Sequence, residues 1–237
     1  MSTEERAKWL QVIKIPMILV GILFAVHLLQ IVTGWPIYYW GIYPRKVIGL
    51  RGILFAPFIH GDWAHLLWNS FPLIALSIIF FYFYPRVAKP SLLMIYFLTG
   101  IGVWLFGNSN FHIGASGVIY GMLSFVMFTG IFRRNVKSII LGLIILFFYQ
   151  GFFSGLIPKE GVSWESHLFG ALTGVFAAYF YKDLIEEDEI PRTPSWELEP
   201  SQESRFYLPR DTFEKTKRQR IEERRREDPD GWTQDTT

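Results

Sequence analysis

Six stretches, 15–32, 64–84, 91–106, 116–132, 138–153 and 164–181, carry no Asp, Glu, Lys or Arg well inside them. Each approaches the roughly 20 apolar residues that a helix needs to cross a bilayer core. A helix on the surface of a soluble domain keeps one charged face, whereas these are apolar around their whole circumference. Backbone polar groups in hydrocarbon must be satisfied within the segment itself, which leaves helices as the answer for stretches of this length. The expected fold is an all-α membrane protein, a bundle of six transmembrane helices.

Charge divides the chain. Residues 1–14 form a mixed-charge N-terminus, 15–181 the membrane domain, and 182–237 a charged tail rich in Glu, Asp, Arg, Lys and Pro. The net charge of +2 averages two regimes and gives no nucleic-acid signal. There is no Cys, so disulfides, thiol catalysis and thiolate metal sites are excluded. No small-residue cleavage site closes the first apolar run, which is therefore expected to be retained as a span.

Lys and Arg in the short loops set the orientation. Arg6, Lys8 and Lys14, then Arg86 and Lys89, then Arg133, Arg134 and Lys137, and finally Lys182 all fall on one side. Arg45, Lys46, Arg51 and Lys159 lie on the other, so the bias is incomplete. Both termini are expected to be cytoplasmic, in a multi-pass protein of a bacterial cytoplasmic membrane. The first loop, 33–63, holds Trp35, Tyr38, Tyr39, Trp40, Tyr43 and Trp63, ring types that settle at headgroup depth, and is expected to lie in the interface. In the tail, an acidic run at 186–189 and several prolines between Pro191 and Pro209 precede a charged segment, 211–227, with good helix formers and few apolar residues. It reads as a flexible tail or solvated helix, with a partner or lipid headgroups as the alternative use of Lys215 to Arg226.

Polar side chains at membrane depth are costly, and mark function by default. They are few: His27 and Gln30 in the first span, His65 and Asn69 in the second, Ser116, Tyr120 and Ser124 in the fourth, His167 and Thr173 in the sixth. No His-Glu-x-x-His occurs, which removes the best signature of a metalloprotease. No Asp lies inside a span, and an aspartic protease needs two carboxylates sharing a proton. Acyl transfer by a Ser with a His base needs those two side chains and oxyanion donors, all of which are present.

Ser116 sits in Gly114-Ala115-Ser116-Gly117, where flanking glycines allow a tight turn and the free N–H groups of a helix start favour negative charge. An ordinary N-cap uses the same residues. Tyr120 lies one turn on and covers the same face. Gly117 and Gly121 on one helix, and Gly170 and Gly174 after His167 on another, give two small-residue faces that can approach closely. His65 and Asn69, four apart, share a helix face and suit either an oxyanion hole or a simple interhelical hydrogen bond.

Taken in order, His60-x4-His65-x3-Asn69, Gly114-x-Ser116-Gly117-x2-Tyr120 and His167-x2-Gly170-x3-Gly174 resemble the rhomboid intramembrane serine proteases, over roughly residues 41–181. The resemblance implies a rhomboid-type bundle in which Ser116 is the nucleophile and His167 its general base, with no third carboxylate and no cofactor or metal. It implies an oxyanion hole from His65, Asn69 and the Ser116 amide, with Tyr120 stacked on His167. Glu165 belongs to no part of the pattern and receives no role; His60 is left as a possible turn anchor. The loop 154–163 would cap a water-filled cavity, and its Gly155, Pro158 and Gly161 suit a mobile cap. The implied partners are the lipid bilayer and single-span membrane proteins, cut in or near their transmembrane helix. A catalytically inactive protein of the same fold that escorts membrane helices is the alternative; a small transporter is disfavoured by the lack of carboxylates within the spans.

Overall fold

The computed structural model describes residues 2–148, 151, 153–159, 161–186 and 213–227. They fall into two units, residues 1–190 and 191–237. The first unit is a bundle built from α1 (Thr3–Thr33), α2 (Gly52–Phe55), α3 (Trp63–Phe83), α4 (Ala88–Phe106), α5 (Ser116–Arg133), α6 (Val136–Phe148) and α7 (Trp164–Phe180). The second holds α8 (Lys217–Glu227). Among the described residues there is no strand, only an isolated bridge between Ile42 and His112.

Helix α1 begins well before the first apolar stretch. Ser2 and Glu5 form a capping box, with the Glu5 N–H donating to Ser2 Oγ and the Ser2 N–H to the Glu5 carboxylate, so two orphan donors are satisfied reciprocally. Its end is set by Gly34 in the left-handed conformation (φ 65°). Among the described residues four helices are long and apolar enough to cross a membrane: Trp9–Thr33 within α1, Trp63–Phe83, Ala88–Phe106 and Ser116–Arg133. Helices α6 and α7 are shorter, at 13 and 17 residues, and residues 149, 150 and 152 of the fifth apolar stretch lie outside the described residues.

Helix α5 is the axis of the bundle. It packs on α7, α6, α3 and α4, while α1 leans mainly on α3. Along α5, Val118 to Val126 is an unbroken buried run. Helix α1 instead turns Leu10, Met17, Ile18, Leu28 and Val32 outward, and Trp68, Phe71, Phe106 and Phe147 on other helices do the same. Large side chains this exposed on every flank exceed what a soluble surface carries, and they fit a hydrocarbon surround. Deep in the bundle Phe125 of α5 meets Phe80 and Tyr84 at the end of α3, ring centroids 4.7 and 5.5 Å apart. That contact fixes the two helices some 14 Å along the axis from Ser116, nine residues away.

The long first loop is a folded layer of short helical turns, Ile37–Trp40, Val47–Arg51, α2 and Ala56–Phe58. Arg45, in the left-handed region (φ 59°), donates to the carbonyls of Gly107 (2.8 Å) and Leu105 (3.4 Å) and so closes the C-terminal end of α4. Arg51 donates to the Tyr39 carbonyl and lies 4.6 Å over the Trp40 ring. Two of the four cations that weaken the charge bias, Arg45 and Arg51, thus serve structural ends.

Candidate active site

The loop before α5 is positioned from three sides. Ile42 and His112 exchange backbone hydrogen bonds of 3.0 and 2.9 Å, and the Gly114 N–H donates to the Ala56 carbonyl at 2.9 Å. The Ala115 N–H donates to Nε2 of His60, which is fully buried. A nitrogen that accepts is unprotonated, and burial, followed by the neighbouring His65 ring, holds the His60 pKa at about 3. His60 is therefore a neutral anchor of the chain leading into Ser116. Gly114 has φ +104°, a conformation side chains rarely adopt.

Ser116 starts α5 and His167 lies one turn into α7. Their helices meet on the four glycines. A methyl group at Gly170 would lie 2.0 Å from the Gly117 carbonyl oxygen, and one at Gly174 2.1 Å from that of Gly121, so backbone touches backbone along the seam. Thr99 and Thr173 share a 2.9 Å hydroxyl hydrogen bond between α4 and α7. The close approach brings Ser116 Oγ within 2.8 Å of His167 Nε2.

The other ring nitrogen fixes the tautomer. His167 Nδ1 is 2.7 Å from the Gly155 carbonyl oxygen. A carbonyl only accepts, so Nδ1 carries the proton and Nε2 offers its lone pair to the Ser116 hydroxyl, the state a general base needs. Tyr120 stacks on the imidazole at 4.1 Å with planes 3° apart. Gly155 has no room for a side chain, since a methyl there would meet Tyr120 Oη at 1.9 Å.

His65 and Asn69 reach the same place from α3. A methyl on Gly114 would lie 2.7 Å from His65 Nε2 and 3.6 Å from Asn69 Nδ2, so both side chains crowd the glycine two residues before Ser116. Asn69 is buried, and its Nδ2 makes no hydrogen bond among the described residues. Buried donors are rarely left so, and this one is available to an incoming oxygen. Asp62 caps α3 by accepting the His65 N–H at 2.8 Å, and that hydrogen bond holds its carboxyl below the ordinary carboxylate range. His60 and His65 stand ring against ring, 4.9 Å apart.

Ser116, Tyr120, His167, His65 and Asn69 lie together, whereas Ser124 sits deeper along α5 near Gly174, Thr173 pairs with Thr99, and His27 and Gln30 stay on α1, where His27 lies edge-on to Trp63 at 4.7 Å. Two residues passed over in the sequence are part of the frame. His112, buried, donates from Nε2 to the Asn108 carbonyl (2.9 Å) and accepts at Nδ1 from Ser163 (2.5 Å), which also shares a 2.6 Å hydrogen bond with Ser166 of α7. Glu165 is buried as well, and its carboxylate accepts the Asn108 N–H at 3.3 Å. It ties the loop before Ser116 to α7, while the role of orienting His167 falls to the Gly155 carbonyl. A lone His in a Gly- and Asn-rich loop gave no periodic signal by which to find it.

The family model described as Rhomboid domain matches residues 49–183. The chain is also similar to uncharacterized proteins of Mycobacterium bovis and Mycobacterium tuberculosis, each 37% identical over 188 residues, covering 75% of this chain and 78% of the relative. An uncharacterized protein of Mycobacterium leprae is 36% identical over 193 residues, covering 75% of this chain and 74% of the relative.

Proposed function

The chain belongs to the rhomboid family of multi-pass membrane proteins, and from that premise we propose that it is an intramembrane serine endopeptidase that cuts single-span membrane proteins in or near their transmembrane helix. The observation that carries the reading is the hydrogen-bonded row Ser116 Oγ, His167 Nε2, His167 Nδ1, Gly155 O, which presents a neutral imidazole lone pair to a hydroxyl.

In this reading His167 Nε2 takes the Ser116 proton as Oγ bonds to the scissile carbonyl carbon. The carbonyl oxygen becomes an oxyanion, held by the Ser116 N–H at the start of α5 and by His65 and Asn69. His167 then gives its proton to the leaving amine, and the C–N bond breaks. A water, deprotonated by the same nitrogen, hydrolyses the acyl-serine and returns the proton to Ser116. Tyr120 limits the imidazole to one plane through both halves of the cycle. An intact helix hides each carbonyl in its own hydrogen bonds, so the substrate must unwind locally before attack. The apolar stretches of α6 and α7 complete a six-span topology with both termini on the cytoplasmic side of the cell membrane.

The test is cleavage of a model single-span substrate by the purified full chain in detergent, wild type against Ser116→Ala and His167→Ala. Each variant should lose at least about a thousandfold in rate, and a fluorophosphonate probe should label wild type but not Ser116→Ala. Unchanged cleavage by Ser116→Ala would remove the serine mechanism. A bundle that only held membrane helices would bind the substrate and leave it uncut.

A further inference from the structure

Helix α8 has a division of charge that hydropathy alone does not reveal. It opens on its own capping box: the Thr216 N–H donates to Gln219 Oε1 at 2.8 Å and the Gln219 N–H to Thr216 Oγ1 at 3.4 Å. Counting i, i+3, i+4, i+7, i+8 from Lys217 gives Lys217, Arg220, Ile221, Arg224 and Arg225, one face of a helix, with Arg218 at its margin. Glu222 and Glu223 fall off that face, Glu227 lies at its other margin beside Arg220 and Arg224, and Arg226 stands opposite it among the glutamates. Lys215, just before the helix, pairs with Glu223 at 2.7 Å on the acidic side, and the Arg220 guanidinium donates to the Lys215 carbonyl, so the first turn is braced. Ile221 stands exposed in the middle of the cationic face, and Phe213, three residues before the cap, is 90% exposed.

We propose that this face of α8 is a docking surface for anionic phospholipid headgroups. A stripe of cations around one aliphatic side chain, with an exposed aromatic at the approach, suits a leaflet in which phosphates lie over hydrocarbon; guanidinium groups take phosphate oxygens in pairs. A negative surface potential draws Lys and Arg within a Debye length, and the placement of Glu222 and Glu223 on the far side keeps those two carboxylates away from it. The helix begins 37 positions after α7 ends at Phe180, so the connecting chain holds it within about 130 Å of a bilayer at all times. The inference rests on the reading of the tail as cytoplasmic, where the anionic leaflet lies, and is independent of proteolysis.

The test uses the full chain with Ser116→Ala, so that peptide-bond cleavage plays no part in the readout. Because the chain has no Cys, one introduced thiol carries one fluorophore. Labels at Ile221→Cys and, on the opposite face, Arg226→Cys are exposed to an aqueous collisional quencher in nanodiscs, which leave both sides of the bilayer open. In phosphatidylcholine with phosphatidylglycerol, quenching at position 221 should fall about threefold or more below that at 226. The difference should vanish in pure phosphatidylcholine, in about 1 M salt, where the Debye length is about 3 Å, and on Arg224→Gln with Arg225→Gln. Equal quenching at the two positions in anionic discs would overturn the proposal. So would protection of position 221 that persists in neutral discs or in detergent, which would assign the face to a protein surface instead.

Discussion

Ser116 and His167 are held from two sides, and the two sides use different materials. On one, α5 and α7 meet through Gly117, Gly121, Gly170 and Gly174 with backbone against backbone. On the other, a single carbonyl from the loop 154–163, that of Gly155, accepts a hydrogen bond from the imidazole Nδ1–H. The seam sets the distance between nucleophile and base; the loop sets which nitrogen faces the nucleophile. Distance therefore depends on main chain packed against main chain, and orientation on the short helical turn Ser154–Leu156 between α6 and α7.

The contrast can be broken by substitution, and the seam should give the larger response. Gly170→Ala places a methyl 2.0 Å from the Gly117 carbonyl, an atom that cannot rotate away, so the helices must part. A displacement of about 1 Å costs on the order of a hundredfold in rate, and thermal unfolding in detergent should move down with it. On the loop side, Gly155→Ala meets Tyr120 Oη at 1.9 Å, which pushes the loop or the ring aside without disturbing the helices. Cleavage should fall about tenfold with unfolding unchanged, and Tyr120→Phe in the same chain, by removing the hydroxyl, should recover part of it. Failure of that rescue would detach Gly155 from the orientation of His167.

A milder test of the seam is Gly121→Ala combined with Ile95→Ala, because the methyl meets Ile95 Cγ2 at 2.2 Å but the Gly170 carbonyl oxygen only at 3.1 Å. Its cost should stay under about threefold; a loss as large as that of Gly170→Ala would mean that helix spacing is not what the glycines control. The smallest effect near neutral pH concerns His60. Its folded pKa, about 3, is below the ordinary 6.5, so the unfolded chain binds the proton first. Stability is then full above pH 6.5 and declines as pH falls toward 3, by up to about 1.4 kcal/mol per pH unit. His60→Gln should flatten that profile in thermal unfolding measured across the range.

Much of this was legible in the sequence, because helices advertise themselves by spacing. The apolar stretches match α3, α4, α5 and α7 closely, and the paired glycines four apart lie on two faces that meet. Ser116, Tyr120, His167, His65 and Asn69 could be named since each is a polar residue on an apolar helix or at its start. What escaped was carried by backbone or by loops. The Gly155 carbonyl has no side chain to announce it, and a glycine in a loop reads as flexibility whether or not its neighbours exclude a methyl. His112 and Glu165 frame the loop before Ser116 through contacts 51 and 57 residues apart, which local pattern does not reach. The early start of α1 is different: Ser2 and Glu5 spell a capping box that the polar character of the N-terminus obscured.

A seam built of main chain has a physical consequence of its own. Contacts between long side chains leave small voids and yield to compression, whereas a carbonyl resting on an α-carbon leaves none to eliminate. The separation of Ser116 and His167 should therefore be almost indifferent to hydrostatic pressure, and to bilayers of different thickness, which tilt helices as rigid bodies. Where such changes alter the rate, they act through the loop and the lipid-facing helices, and leave the spacing of the pair as it was.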